Sequence, residues 1–126
     1  MVVRIRNRTL QCLLDTGAVS SVISLSLVRQ LRLKIQPPAS QDYLIAASGE
    51  HLKIIGNVDI NLQIRGLTIP HIFTVIEGLY PNLLVGTDFL TANQAVINCH
   101  NHTVTFNDGL IVMPLQNFQN CYNCAT

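Results

Sequence analysis

Short apolar runs separated by turn residues constrain the fold of this chain more than any other feature. The runs are rich in Val, Ile, Leu and Thr and recur about every 8–12 positions, which is typical of an all-β domain. Over residues 58–64, apolar and polar side chains alternate strictly, as in a strand that buries one face. The pattern therefore predicts an all-β fold.

Two short helices are expected to interrupt the strands. Ser24 is a suitable N-cap for a helix over residues 24–31, in which apolar side chains recur at helical spacing. A second helix is predicted to open at Gly86, where Thr87 or Asp88 can cap its first amides. The predicted strands are residues 2–6, 9–14, 20–23, 43–46, 52–55, 58–64, 68–76, 83–85, 94–99, 102–106 and 110–114, the first two joined by a turn at 7–8.

The composition indicates one domain with a covered apolar surface. A chain of 126 residues is long enough for a single packed core, which we place in residues 1–115, followed by a polar tail, residues 116–126, expected to be poorly ordered. Hydrophobic residues make up 48% of the chain and charged residues only 12%, which is apolar for a monomer. Self-association is the simplest interpretation.

Charge and hydropathy argue against two classes of partner. The net charge is +1 and the eight basic residues are scattered, so the chain lacks the basic patch that nucleic-acid binding requires. Its amino end has no apolar core of a signal peptide, and no apolar run is long enough to cross a bilayer. We therefore expect a soluble cytoplasmic protein that binds neither nucleic acid nor membrane.

The chemistry is concentrated in Leu13-Leu14-Asp15-Thr16-Gly17-Ala18. Two apolar residues followed by Asp-Thr-Gly deliver a carboxylate from a buried strand to a tight turn. The motif occurs once, whereas carboxylates that activate water work as a pair sharing one proton. The second aspartate is therefore expected from another copy of the chain, with Thr16 hydrogen-bonding across the two-fold axis and Gly17 letting backbone approach the carboxylate.

Together with two further stretches, this motif resembles the retroviral-type aspartic proteases, or retropepsins, above all those of gypsy-type LTR retrotransposons. The likeness covers about residues 2–115. It implies a half-barrel with one or two short helices that is active as a symmetric homodimer, with Asp15 as the catalytic residue. Residues 45–56 are similar to the family's flap, and residues 83–90 to its second motif, in which Gly86 packs under the catalytic loop and Asp88 opens the helix.

The resemblance also implies how substrate is held. An extended peptide would lie between the catalytic floor and the flap, which comprises Ile45, Ala46, Ala47, Ser48 and Gly49. Its apolar side chains would enter pockets lined by Ala18, Val19, Leu79 and Pro81, together with Ile45 and Ala46 from the flap.

In one respect the chain departs from the family. Many retroviral members carry a paired aspartate and arginine where this chain has Val19 and Thr87. Both partners are missing together, so no charge is orphaned, and dimerisation is expected to depend on Thr16 and apolar terminal strands.

The implied activity is cleavage of a Gag or Gag-Pol-like polyprotein at apolar sites, without a metal or cofactor, in the cytoplasm or inside virus-like particles. Two related alternatives are a catalytically idle dimer that binds peptides or assembles, and a cellular retropepsin-like protease with a host substrate.

Two other classes of function are weaker. A zinc module could use Cys121 and Cys124 with His100 and His102, but one Cys-x-x-Cys pair is a weak signal. A phosphoryl-accepting aspartate would need further carboxylates in a companion motif that holds magnesium, which the sequence lacks. His51 and His71 are interpreted as a surface residue at the base of the flap and a strand residue.

Overall fold

The computed structural model describes residues 1–38, 43–46, 48–78 and 82–115. Within them the chain forms eleven strands and two short helices, which confirms the all-β prediction. In chain order the elements are β1 (Val2–Ile5), β2 (Arg8–Gln11), β3 (Leu13–Leu14), β4 (Val22–Ser24), α1 (Leu25–Leu31), β5 (Tyr43–Ile45), β6 (His51–Ile64), β7 (Leu67–Ile76), β8 (Leu83–Val85), α2 (Thr87–Ala92), β9 (Val96–Asn98), β10 (Thr103–Phe106) and β11 (Ile111–Pro114). Neither described helix has the length and apolar character needed to span a membrane.

The strands form two sheets. The larger sheet has the order β2-β1-β6-β7-β4-β8-β3, with β5 paired to β6 beside this path, and the smaller has the order β11-β10-β9. In the larger sheet, β4 pairs with β7 and β3 pairs with β8 in parallel, whereas the other pairs are antiparallel. The parallel pairs bring the strands on either side of the Asp-Thr-Gly turn beside strands from much later in the chain.

β6 is one strand of 14 residues, so the prediction of two separate runs at 52–55 and 58–64 was wrong. A register shift between Ile54 and Gly56 marks a β-bulge that lets pairing with β7 continue. A Cβ atom at Gly56 would lie 2.2 Å from the backbone oxygen of Gln36, so only glycine permits this close approach. Gln36 and Asn57 exchange backbone hydrogen bonds there, which fixes the base of the β5–β6 hairpin.

The first hairpin also differs from its prediction. Its turn lies at Arg6 and Asn7, which adopt φ angles of 49° and 67°, rather than at residues 7–8. Two consecutive residues with positive φ match the right-handed twist of a two-residue hairpin. The predicted strand 9–14 is divided between β2 and β3 by the buried Cys12.

Both helices lie where the sequence predicted them. The Ser24 hydroxyl accepts a hydrogen bond from the Leu27 amide at 3.1 Å, which confirms Ser24 as the N-cap of α1. In α2 the N-cap is Gly86, which has no side chain to cap the helix. Asp88 lies inside the first turn instead, where it accepts a hydrogen bond from the Phe89 amide at 2.7 Å.

The main hydrophobic core joins the two sheets. Phe73 of β7, Phe89 of α2 and Phe106 of β10 are fully buried. The Phe89 and Phe106 rings meet edge to face with centroids 5.8 Å apart, a favourable arrangement for aromatic pairs. This packing fixes α2, which begins within the second motif, against the smaller sheet.

Candidate active site

Asp15 directly follows β3, which pairs in parallel with β8. Leu13 and Leu14 pair with Leu84 and Val85 of β8. The ladder continues for one more bond, because the Asp15 amide donates to the Val85 carbonyl at 3.0 Å. The backbone of the aspartate is therefore fixed by the core of the sheet.

The turn after Asp15 orients its carboxylate. The Gly17 amide donates to Oδ1 of Asp15 at 2.9 Å, and the Ala18 amide donates to the Asp15 carbonyl at 3.2 Å. A Cβ at position 17 would lie 3.2 Å from Oδ1, tighter than most real contacts, so glycine suits this approach. Asp15 is half-buried, whereas Thr16 and Gly17 are exposed.

The second motif clamps the loop that follows the turn. The Thr87 amide donates to the Ala18 carbonyl at 2.8 Å, and the Asp88 amide donates to the Val19 carbonyl at 3.2 Å. Gly86 lies directly beneath the loop, where a Cβ would come within 2.6 Å of the Ala18 oxygen. The start of α2 thus holds residues 18 and 19 of the loop by main-chain hydrogen bonds.

Asp88 adds side-chain contacts to this clamp. Its carboxylate accepts hydrogen bonds from the Ser21 hydroxyl at 2.7 Å and the Ser21 amide at 3.1 Å, and pairs with Nε2 of His71 at 3.0 Å. Burial raises the pKa of Asp88, but the hydrogen bonds from Ser21, His71 and Phe89 outweigh it and hold the pKa below its ordinary value. The Ser21 hydroxyl in turn accepts from the Gly86 amide at 3.0 Å.

Sequence reasoning had missed two members of this network. Ser21 is a fully buried polar residue directly before a buried strand, and His71 is a titratable residue within an otherwise apolar run. In the sequence alone, Ser21 is a polar residue before an apolar run and His71 is a titratable residue within another. Neither pattern indicates which residue it would bind. Their shared partner Asp88 lies 67 residues from Ser21 and 17 from His71.

An apolar cluster separate from the main core lies beside the catalytic turn. Its buried members are Val22, Ile54, Ile76 and Leu84, and Leu13, Ala18, Leu44 and Leu52 pack against them. The cluster thus connects the strand before Asp15 and the loop after it to both arms of the β5–β6 hairpin. Of the predicted pocket residues, Ala18 belongs to it.

The hairpin has a small, exposed tip. The Ala46 amide donates to the Glu50 carbonyl and the Gly49 amide to the Ala46 carbonyl, both at 2.8 Å, and Gly49 has a φ of 89°. Ile45 is 65% exposed and lies on the opposite face of β5 from Leu44, which packs on the apolar cluster. Leu44 and Leu52, which the sequence did not single out, are therefore the partly buried hairpin side chains that pack on the cluster beside the catalytic turn.

The other predicted residues are distributed as follows. Val19 is 79% exposed beside the turn, and Ser48 is exposed at the hairpin tip. Ala47, Leu79 and Pro81, and the cysteines Cys121 and Cys124, lie outside the described residues. Among the described residues, no group of three or more His, Cys, Asp or Glu side chains is placed to hold a metal ion.

Comparison with known proteins gives one family and one fold. Residues 1–92 match the family model described as gag-polyprotein putative aspartyl protease. The retroviral protease-like domain of Ddi1 from Leishmania major is similar, with a TM-score of 0.70 at 20% identity over 93% of this chain and 94% of that chain. No curated protein matches the sequence.

Two further solved structures share the fold. The EIAV protease, complexed with the inhibitor HBY-793, has a TM-score of 0.59 at 22% identity over 73% of this chain and 84% of that chain. A retropepsin-like aspartic protease from Rickettsia conorii has a TM-score of 0.51 at 19% identity over 78% of this chain and 74% of that chain. The likenesses confirm the retropepsin-like fold, and with a family model that spans most of its length the chain belongs to the gag-polyprotein putative aspartyl protease family.

Proposed function

We propose that this protein is an aspartic endopeptidase that works as a symmetric homodimer, with one Asp15 contributed by each chain. The observation that carries the proposal is the placement of Asp15. Its main chain is fixed to β8, and Oδ1 accepts a hydrogen bond from Gly17. Oδ2 has no hydrogen bond to any described residue, so it is available to water and to a second carboxylate.

The proposed mechanism is general acid-base hydrolysis. Two carboxylates brought together at the two-fold axis cannot both ionise cheaply, so the pair holds a single proton. The ionised Asp15 takes a proton from water as the water attacks the scissile carbonyl, while the protonated Asp15 donates to the carbonyl oxygen. The Gly17 amide keeps each carboxylate in a fixed orientation during this exchange.

The surroundings of Asp15 favour a peptide with apolar side chains at the cut. The cluster around Val22, Ile54, Ile76 and Leu84 borders the catalytic turn and contains no charged residue. We infer that this cluster, capped by Leu44 and Leu52, forms the floor of the pockets next to the scissile bond. A Gag or Gag-Pol-like polyprotein is the substrate that fits the family best.

Asp15→Asn tests the proposal directly. The purified protein is incubated at pH 4–7 with a peptide library and with candidate polyproteins, with and without pepstatin, and the products are identified by mass spectrometry. We expect cleavage next to apolar residues that pepstatin blocks and that Asp15→Asn abolishes, because asparagine can neither take nor give the shared proton. Cleavage that survives Asp15→Asn would refute the catalytic role of Asp15.

A cellular substrate is the second candidate, supported by one observation. The likeness to the Ddi1 domain covers 93% of this chain, which necessarily extends beyond residue 92, where the family model match ends. Most of the residues beyond position 92, where the smaller sheet lies, therefore have a counterpart in that domain. Offering Gag-like polyprotein and host-cell extract separately to the same preparation distinguishes the two substrate classes.

A further inference from the structure

We propose that His71 is a positioning residue for the catalytic loop, acting through Asp88 and Ser21. The inference rests on the proposed protease function and assigns a role to a strand residue far from Asp15 in sequence. Contacts between consecutive side chains and main-chain groups lead from the imidazole to the turn that carries the catalytic carboxylate.

The first link joins β7 to α2. Nε2 of His71 lies 3.0 Å from Oδ2 of Asp88. The same oxygen accepts the Ser21 amide at 3.1 Å, while Oδ1 accepts the Ser21 hydroxyl at 2.7 Å. Removing the imidazole donor would take away the one hydrogen bond that holds the carboxylate from the β7 side and leave those from Ser21 and Phe89.

The second link joins Ser21 and Asp88 to the turn. Ser21 is fully buried, and its hydroxyl accepts from the Gly86 amide at 3.0 Å. The next amides, those of Thr87 and Asp88, bind the carbonyls of Ala18 and Val19. A displacement of the start of α2 would therefore pass to the loop directly after Asp15 and Gly17.

The imidazole itself is held in one orientation. Its ring meets Phe73 and Phe89 edge to face, with centroids 5.5 Å and 5.2 Å away, and its side chain is only 15% exposed. The residue paired opposite on β6 is Ile60, which is buried. Packing of this kind fixes which atom faces Asp88, as precise positioning of a neighbouring site requires.

Charge also suits this role. Among the described residues, the ion pair of His71 is with Asp88, and its ring contacts are with the apolar side chains of Phe73 and Phe89. The neighbouring strand β6 carries one carboxylate, Asp59. It is exposed and lies opposite Ile72 rather than His71. An aspartic dyad needs a shared proton and so works in acid, where Asp88 must stay ionised to accept its four hydrogen bonds. Each of these hydrogen bonds, the one from His71 included, favours the ionised form of Asp88.

Two substitutions at position 71 separate positioning from packing. In His71→Gln the side-chain amide nitrogen lies near the position of Nε2 and can still donate to Asp88. In His71→Asn the side chain is too short for its amide nitrogen to reach Asp88. Both residues are neutral and polar, so they differ mainly in reach. His100→Gln, at an exposed histidine in the turn between β9 and β10, is the matched control.

We expect kcat of His71→Asn to fall about tenfold at pH 5 with KM changed less than about twofold, since the loop but not the pocket is displaced. His71→Gln should recover most of that loss, and His100→Gln should match the wild type. Because the His71 hydrogen bond lowers the pKa of Asp88, acid unfolding of His71→Asn should also begin at a higher pH than that of His71→Gln.

A measurement without catalysis keeps this inference separate from the proposed function. In the Asp15→Asn background, amide hydrogen exchange at Ser21, Thr87 and Asp88 should be faster with His71→Asn than with His71→Gln. Equal kcat and equal exchange in the two variants would overturn the role of His71. A wild type that cleaves no peptide, combined with a clear difference in exchange, would overturn the protease function and leave the positioning intact.

Discussion

At the scale of single residues, the carboxylates of Asp88 and Asp15 differ in how many hydrogen bonds they accept. The Asp88 carboxylate accepts from Ser21 twice, from the Phe89 amide and from His71, whereas the Asp15 carboxylate accepts only from Gly17 among the described residues. A carboxylate that accepts several hydrogen bonds is held in its charged form. One that accepts a single hydrogen bond keeps its second oxygen open to water, as the proposed mechanism requires.

The hydrogen bonds of Asp88 predict a loss of stability in acid. The pKa of Asp88 is lowered in the folded protein from its ordinary value of 3.8, despite burial, by hydrogen bonds from Ser21, His71 and Phe89. Its contribution to stability is therefore complete above about pH 4 and disappears as the pH falls through the folded-state pKa. We expect urea unfolding midpoints of the wild type and Asp88→Asn to differ most at pH 6 and to converge towards pH 3.

Asp59→Asn is the matched control for this titration, because Asp59 is exposed on the outer face of β6. It should follow the wild type at every pH. A gap between the wild type and Asp88→Asn that stays constant from pH 6 to pH 3 would contradict the assignment.

At the residue scale, a local motif can be interpreted from sequence, whereas a network that packing assembles cannot. Asp15 and Gly17 are two residues apart, so the hydrogen bond between the Gly17 amide and the Asp15 carboxylate follows from one short turn. The roles of Ser21 and His71 were missed because they exist only after β4, β7 and α2 have packed together. No spacing rule connects residues 21, 71 and 88.

At the scale of elements, substitution by alanine is expected to have different effects at Gly86 and at Gly56. Alanine at Gly86 would place a Cβ 2.6 Å from the Ala18 carbonyl oxygen, and alanine at Gly56 would place one 2.2 Å from that of Gln36. Each clash is with backbone and should cost about 1–3 kcal/mol of unfolding free energy. Gly86 supports the catalytic loop, however, whereas Gly56 lies at the base of the β5–β6 hairpin.

We therefore expect Gly86→Ala to lower kcat by about tenfold or more beyond its effect on stability, and Gly56→Ala to change mainly KM through the hairpin. Chemical unfolding and steady-state kinetics on both variants test this difference. Equal effects on kcat and KM in the two proteins would show that loss of stability alone accounts for the kinetics.

Element prediction worked where the signal is short-range and failed where pairing is distant. The Ser24 cap and the alternation over residues 58–64 fix α1 and the second half of β6. The bulge at Gly56 depends on residues 35–36, about twenty positions earlier, so the sequence suggested a break instead. The parallel pairs β3–β8 and β4–β7 likewise join distant segments, and apolar runs alone do not specify their partners.

At the scale of the whole molecule, one chain provides half of the proposed site. Asp15 occurs in a single Asp-Thr-Gly motif, and Thr16, Gly17 and Val19 beside it are exposed. This chain has Val19 and Thr87 where many retroviral proteases have a charged pair, so dimerisation is expected to depend on Thr16 and on apolar terminal strands. Activity should accordingly depend on the concentration of dimers rather than of chains.

Mixing active and inactive chains tests this dependence. If each site needs one Asp15 from each subunit, a ninefold excess of Asp15→Asn chains, equilibrated with the wild type, leaves about one dimer in a hundred with two aspartates. The rate should then fall about tenfold relative to the same wild-type concentration alone, at a saturating peptide concentration and a protein concentration where both form dimers. A ninefold excess of Asp15→Asn/Gly86→Asp, in which a charged side chain disrupts the loop, should inhibit less because its loop cannot complete the interface. A rate unchanged by Asp15→Asn chains would mean that a single chain holds the entire active site.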